Sequence, residues 1–145
     1  MLDLTHIQSL SAALRFNTRL SLQETGTNLD SSEDFLLGGP YGVRAYPLGE
    51  APGDRGYLVQ VQLEGQTKFG KPYLFYDFGS VNVTAYHLIS RATANEHRSG
   101  GGVGFMGASG HVNFNVFLAY RSGHAPDVDI RSSTPVFWFL SDYAF

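Results

Sequence analysis

Leu14-Arg15-Phe16-Asn17-Thr18-Arg19-Leu20-Ser21-Leu22-Gln23 is the stretch on which the fold turns. Leu14, Phe16, Leu20 and Leu22 alternate with Arg15, Asn17, Arg19, Ser21 and Gln23. Successive side chains of a strand point to opposite faces, so this decapeptide has one apolar and one strongly polar face. The pattern recurs. Tyr57, Val59, Val61 and Leu63 alternate with Gln60, Gln62 and Glu64 in a strand predicted over 57–68. Over 72–86, Leu74, Tyr76 and Phe78 stand opposite Phe75, Asp77 and Gly79. A Gly-rich strand is predicted over 99–108, with Val103, Phe105 and Met106. Val112, Phe114, Val116, Leu118 and Tyr120 alternate with His111, Asn113, Asn115 and Arg121, and a last strand carries Phe137, Phe139, Tyr143 and Phe145 on one face.

Each run is about 9–13 residues, against a soluble mean near 5–6, and a tilted strand needs about 9–11 to cross a bilayer. Length and alternation together match a transmembrane β-barrel. Tyr57, Tyr73, Tyr86, Tyr120 and Tyr143 near strand ends read as an interfacial girdle. A soluble antiparallel sandwich alternates too, so pattern alone leaves both open. Charged residues make up 16% of the 145-residue chain, under the roughly 25% usual for soluble domains. Aromatics reach 14%, and there are 17 glycines. The balance of 10 Lys+Arg against 13 Asp+Glu gives no basic footprint for nucleic acid. With no Cys, neither a disulfide nor a thiolate metal site can form. No apolar run is long enough for a membrane-crossing helix, and Met1-Leu2-Asp3-Leu4-Thr5-His6 does not read as a secretory signal.

The rhythm breaks at a long loop over 26–53, and loops of that length are usually functional. Segments 88–98 and 123–133 read as shorter loops. The long loop holds Asn28-Leu29-Asp30-Ser31-Ser32-Glu33-Asp34-Phe35-Leu36-Leu37-Gly38-Gly39-Pro40-Tyr41-Gly42-Val43-Arg44-Ala45-Tyr46. Gly53-Asp54-Arg55-Gly56-Tyr57 follows, and then Phe75-Tyr76-Asp77-Phe78-Gly79. This ordered series strongly resembles the two-partner secretion transporters, the outer-membrane barrels of haemolysin secretion/activation type (the TpsB family). The likeness runs from about Leu10 to Phe145. Ala45 departs from it, standing where the family usually has Gly.

The resemblance implies the C-terminal six or so strands of a sixteen-stranded antiparallel barrel, all-β, preceded by a plug helix and two periplasmic polypeptide-binding domains. Residues 1–145 would be one barrel portion whose loop folds inward. Val43, Arg44 and Tyr46 form the loop motif, with Gly53 and Asp54 after it and Phe75, Asp77 and Gly79 on the barrel wall. Arg44 is thereby expected to meet Asp77. The chemistry agrees: a carboxylate among aromatics is costly unless paired, and a guanidinium fork fits it bidentately. Phe137, Phe139, Tyr143 and the terminal Phe145 look like the assembly signal of outer-membrane barrels.

The implied function is export of a large haemolysin- or adhesin-like exoprotein, without catalysis and without cofactor or metal. The expected partners are that exoprotein, outer-membrane lipid and the barrel-assembly machinery, and not nucleic acid. Arg15, Asn17, Arg19, Gln60, Gln62, Asn113, Asn115 and Arg121 are candidates to line the conduit. Six strands cannot close such a barrel, and an open edge in lipid leaves backbone groups unpaired. The chain is therefore expected to be a fragment, unstable by itself. Two other readings stay open: a barrel-assembly factor of the same superfamily, and a soluble β-barrel that binds a small apolar ligand.

Other motifs carry less. Gly102-Val103-Gly104-Phe105-Met106-Gly107, with Asp127 further on, fits a dinucleotide fingerprint. Neither the strand before it nor the helix after it is present in the pattern. A Gly-rich strand approached closely by other groups explains it better. His6, His87, His97, His111 and His124 lack metal-ligand spacing. Asp30, Ser32 and Asp34 lack the Gly and Glu of a calcium loop. Glu50 and Asp54 read as structural rather than as a glycosidase pair.

Overall fold

The computed structural model describes residues 1–24, 35–53, 55–87, 90–123 and 135–144, without the side chains of 52, 83–87 and 90–94. The described residues form nine strands: β1 Leu2–Ser9, β2 Leu14–Gln23, β3 Phe35–Leu36, β4 Pro52–Gly53, β5 Arg55–Gly65, β6 Lys71–His87, β7 Ser90–Ser109, β8 Val112–Arg121 and β9 Val136–Tyr143. Seven of them make one antiparallel sheet in the order β1-β2-β5-β6-β7-β8-β9. β1 and β9 are its open edges. The short β3 and β4 pair with each other inside the long loop.

Register explains the alternation. Phe16 pairs with Leu63, Leu63 with Leu74, Leu74 with Val103, Val103 with Leu118 and Leu118 with Phe137. This apolar row crosses six strands on one face. Leu74 at 57% exposed and Phe137 at 64% show how bare that face is. A soluble barrel would turn such a face inward, whereas an apolar outer face is the arrangement of a transmembrane barrel wall. On the opposite face one row is Arg19, Gln60, Asp77, Gly100 and Arg121.

The core lies against this polar face. Phe35, Leu37, Val43, Ala45, Tyr46 and Ala51 of the loop are buried against Leu58, Tyr73, Phe75, Val81, Phe117 and Ala119 of the sheet. The loop thus supplies the second packing layer that a single sheet needs.

The turns at one rim are short, over 10–13, 66–70 and 110–111. The long loop and the tip of the β6–β7 hairpin lie at the other. In bacterial outer-membrane barrels the short turns face the periplasm. β6 and β7 have 17 and 20 residues, far more than the roughly 9–11 needed to cross. They therefore project past the opposite rim.

Several sequence expectations change. The segment expected to be a loop over 88–98 is mostly strand, since β7 begins at Ser90 and pairs with β6 back to His87. Ser90-Arg91-Ala92-Thr93-Ala94-Asn95-Glu96-His97-Arg98 has no apolar period, because beyond the apolar band neither face needs to be apolar. β5 ends at Gly65 rather than 68. Leu2–Ser9, ahead of the first strand read from the sequence, forms a further strand of 8 residues, which brings the sheet to seven. Tyr73 leaves the expected girdle: it is buried on the inner face, and its hydroxyl donates to Asn115 Oδ1 at 2.6 Å. Residues 25–34 of the loop, most of the segment expected to be a loop over 123–133, and Asp54, Asp127 and Phe145 lie outside the described residues.

The Gly-rich β7 is explained by rings rather than by a nucleotide. A Cβ on Gly102 would stand 2.7 Å from the Phe75 ring and 2.0 Å from the Leu118 carbonyl, and one on Gly104 would stand 2.3 Å from the Tyr73 ring. The missing side chains let both aromatics lie flat across the strand. Gly102→Val should therefore overpack the wall, at a cost of about 1–3 kcal/mol. A lowered heat-modification midpoint of the full-length barrel on a denaturing gel checks this, with Val103→Thr on the lipid face as the control for position.

Candidate functional site: the loop lock

The loop turns sharply at Gly38-Gly39-Pro40-Tyr41-Gly42. Gly39 sits at φ 113°, where only glycine is comfortable. Val43 N–H donates to Leu37 O at 2.7 Å, Gly42 N–H to Gly39 O at 3.1 Å, and Tyr46 N–H to Val43 O at 3.1 Å. These bonds tie 37–46 into a compact tip that presents Arg44 to the wall. Ala45 lies outside the left-handed region, so the tip's backbone makes no demand for Gly there.

Arg44 is 7% exposed and Asp77 wholly buried. Nε of Arg44 donates to Asp77 Oδ2 at 2.8 Å and Nη2 to Oδ1 at 2.8 Å, a two-pronged pair. The Arg44 backbone N–H donates to Oδ2 as well, at 3.1 Å. Nη1 donates to Gln62 Oε1 at 2.8 Å. The guanidinium carbon lies 3.7 Å from the centroid of the Phe75 ring and 5.9 Å from that of Phe117. Every face of the cation is thus occupied, which a lysine could not reproduce.

The surroundings extend the grip. Gln60 Nε2 donates to Gly42 O at 2.9 Å, and Trp138 Nε1 donates to Arg44 O at 2.9 Å. Gln62 Nε2 donates to buried Glu64 at 2.9 Å, and Asn17 donates to the same carboxylate oxygen. The loop is therefore fastened to β5, β6 and β9 through one polar network.

A second buried ion pair holds the loop's other arm. Glu50 has no exposure, and Arg98 Nε donates to its Oε1 at 3.0 Å. Arg98 Nη1 donates to Glu96 Oε2 at 2.8 Å. The Tyr46 ring lies 5.6 Å from the Arg98 guanidinium. Burial pushes the Tyr46 phenol above its ordinary range, so it meets Arg98 as a neutral ring.

Of the residues singled out from sequence, Val43, Arg44, Tyr46, Phe75, Asp77 and Gly79 come together here. A Cβ on Gly79 would stand 2.5 Å from Leu37 Cδ1, so the loop lies directly on it. Gly53 is in β4, close against the Asn82 carbonyl. All eight conduit candidates share the polar face. Gln60 and Gln62 are spent on holding the loop, and Asn17 holds Glu64. Arg19 pairs with half-exposed Asp3 at 3.2 Å, and Asn115 takes the Tyr73 hydroxyl. A cavity of about 710 Å³ remains toward the short-turn rim, lined in part by Tyr41, Lys71, Met106, Asn113, Asn115 and Leu140. Phe137, Phe139 and Tyr143 are on the other face, each more than half exposed. The sequence reading missed Glu64, Arg98 and Trp138. Arg98 was hidden by its placement in a loop. Trp138 was legible, since it takes the opposite parity to Phe137 and Phe139.

An open sheet with a lipid-type outer face and a loop pinned by ion pairs to its polar face defines a β-barrel wall of the outer-membrane transporter class. The chain belongs to the two-partner secretion transporter family: residues 1–107 match the family described as haemolysin secretion/activation protein ShlB/FhaC/HecB. Membership places it in the bacterial outer membrane. It is also similar to the heme/hemopexin transporter protein HuxB of Haemophilus influenzae, strain Rd, at 36% identity over 81 residues. The protein of that name from H. influenzae strain 86-028NP matches to the same extent. The match covers 52% of this chain and 14% of those relatives, so the chain spans a small part of their length.

The lock is a unit, so its members should act non-additively. Arg44→Ala leaves Asp77 buried and unpaired, a loss of about 3–5 kcal/mol of loop docking. Asp77→Asn should cost a similar amount, and the double variant Arg44→Ala/Asp77→Asn less than the sum. Protease sensitivity of the loop in the folded full-length barrel measures all three, and strict additivity would show that the pair is not coupled.

Proposed function

We propose that this chain is the C-terminal wall, and the lock, of an outer-membrane pore that exports a large exoprotein as an unfolded chain. The buried Arg44–Asp77 pair carries the reading. It joins an inward loop to the inner wall by contacts that exclude water and can be broken as one unit. The polar inner face supports the same view. Amide and guanidinium side chains can offer a sliding chain many weak, interchangeable hydrogen bonds and no apolar trap.

The cargo is a large partner exoprotein of haemolysin or adhesin type. The relatives' name adds heme and hemopexin as a further possible cargo chemistry. The bare apolar face would contact outer-membrane lipid, and the outward Phe137, Phe139 and Tyr143 would be read by the barrel-assembly machinery. The protein works as a conduit, without catalysis and without nucleic acid. The Haemolysin secretion/activation match favours export over barrel assembly.

The full-length transporter expressed with its partner provides the test. Arg44→Ala should cut secreted exoprotein at least about tenfold, equivalent to about 1.4 kcal/mol, at an unchanged amount of barrel in the outer membrane. Normal secretion by that variant would end the proposal. Asn113→Leu/Arg121→Leu, which places apolar groups on the inner face, should slow export while the barrel still assembles. Unchanged export would remove these two residues from the conduit.

A further inference from the structure

The two ion pairs have opposite polarity. The loop gives a cation, Arg44, to a wall anion, Asp77, and an anion, Glu50, to a wall cation, Arg98. Asp77 and Arg98 are themselves close. Asp77 pairs across the sheet with Gly100, and Arg98 with Gly79. They are diagonal neighbours on one face, a relation of about 7–8 Å that long side chains can span.

The two positions that complete this square are both glycine, and the loop fills both hollows. A Cβ on Gly79 would stand 2.5 Å from Leu37 Cδ1, and one on Gly100 would stand 2.4 Å from Ala45 Cβ. Lifting Leu37 and Ala45 away opens a side-chain-free floor between Asp77 and Arg98. The edge of Arg98 that faces Glu50 is Nε, while Nη1 stays with Glu96 Oε2 and the His97 carbonyl. The edge that Glu50 vacates is the one available to turn toward Asp77.

We propose that Asp77 and Arg98 pair with each other when the loop leaves, so that release is an exchange of ion pairs. Docked, the wall charges are neutralised by Arg44 and Glu50. Released, they neutralise each other, and Arg44 and Glu50 pass into water. Neither state strands a buried charge, the main cost of breaking such a lock. Glu50 and Arg98 are positioning residues in this scheme, and the Gly79–Gly100 floor is its track. The scheme rests on the proposed export function and adds to it that the loop leaves the lumen.

Charge reversal on the wall of the full-length transporter tests it without reading export, so its failure is separable from failure of the export reading. Asp77→Arg and Arg98→Asp each leave one loop pair intact but set like charges diagonally on the wall. Asp77→Arg/Arg98→Asp restores an opposite pair on the wall while repelling both loop charges. Exchange predicts that the double variant has a higher heat-modification midpoint than either single variant. It also predicts that a Val43→Cys reporter, buried when the loop is docked, reacts with a maleimide at least about tenfold faster, or about 1.4 kcal/mol. Two independent clasps predict the reverse order, with the double variant weakest, and that result overturns the proposal. If the reversals do not assemble, Asp77→Asn and Arg98→Gln replace them. In an Arg44→Ala/Glu50→Ala background their effects on the midpoint should be coupled, and with the loop docked they should not. Additivity in the loop-released background overturns the exchange.

Discussion

A carboxylate with no exposure to water sits in the middle of the inner wall, and the rest of the structure is arranged around keeping it paired. Asp77 receives three hydrogen bonds from Arg44, one of them from the backbone. The backbone bond matters because it fixes the height of the loop as well as the side chain. The tip must sit at one depth and in one orientation for all three donors to reach. That requirement explains Gly39 at its left-handed turn, the bonds within 37–46, and Trp138 reaching from β9 to the Arg44 carbonyl. A buried pair of this kind contributes little net stability against an apolar replacement of equal shape. Its contribution is register: only one placement of the loop satisfies it.

The sheet yields to the loop by omission. Where the loop and the large rings approach, the wall carries glycine. Gly79 lies under Leu37, Gly100 under Ala45, and Gly102 and Gly104 under the rings of Phe75 and Tyr73. Strand glycines lose packing and cost backbone entropy. Here the loop and the rings fill the vacated space, so the loss is recovered by buried contacts. The stacking of Arg44 on Phe75 follows, since Phe75 can lie flat only because Gly102 is its neighbour across the strand pair.

Much of this was legible in the sequence, for a simple reason. A wall with an apolar outer face and a polar inner face must alternate, so the strands with Phe16, Leu63, Leu74, Val103 and Leu118 showed themselves by period. The loop motif and its wall partner were found by resemblance, and a carboxylate among aromatics supported the pairing on chemical grounds. Part of what escaped lay outside the apolar band. The first part of β7 carries no hydrophobic signal, because the hairpin projects beyond the apolar band, so Arg98 was placed in a loop and its partner Glu50 had no visible counterpart. Tyr73 was assigned to the lipid interface from its position near a strand end. Its parity with Phe75 and Asp77 places it inside, which shows that parity outweighs position along the strand.

Polar fastening also explains how sharply the loop's position is defined. An apolar plug of the same size would be held by area, and each increment of withdrawal would expose more of it to water. Charged contacts fail over a shorter distance, because the bonds in a two-pronged pair are lost together once the geometry is broken. The loop uses both kinds of hold: Leu37, Val43 and Tyr46 are fully buried in the core it shares with the wall, and Leu37 and Ala45 lie over Gly79 and Gly100. The apolar core holds the loop by area, while the two ion pairs set the depth and register at which it sits, above the glycine floor of Gly79 and Gly100. A fastening built this way admits one register of the loop and is lost over a short travel once that register is left.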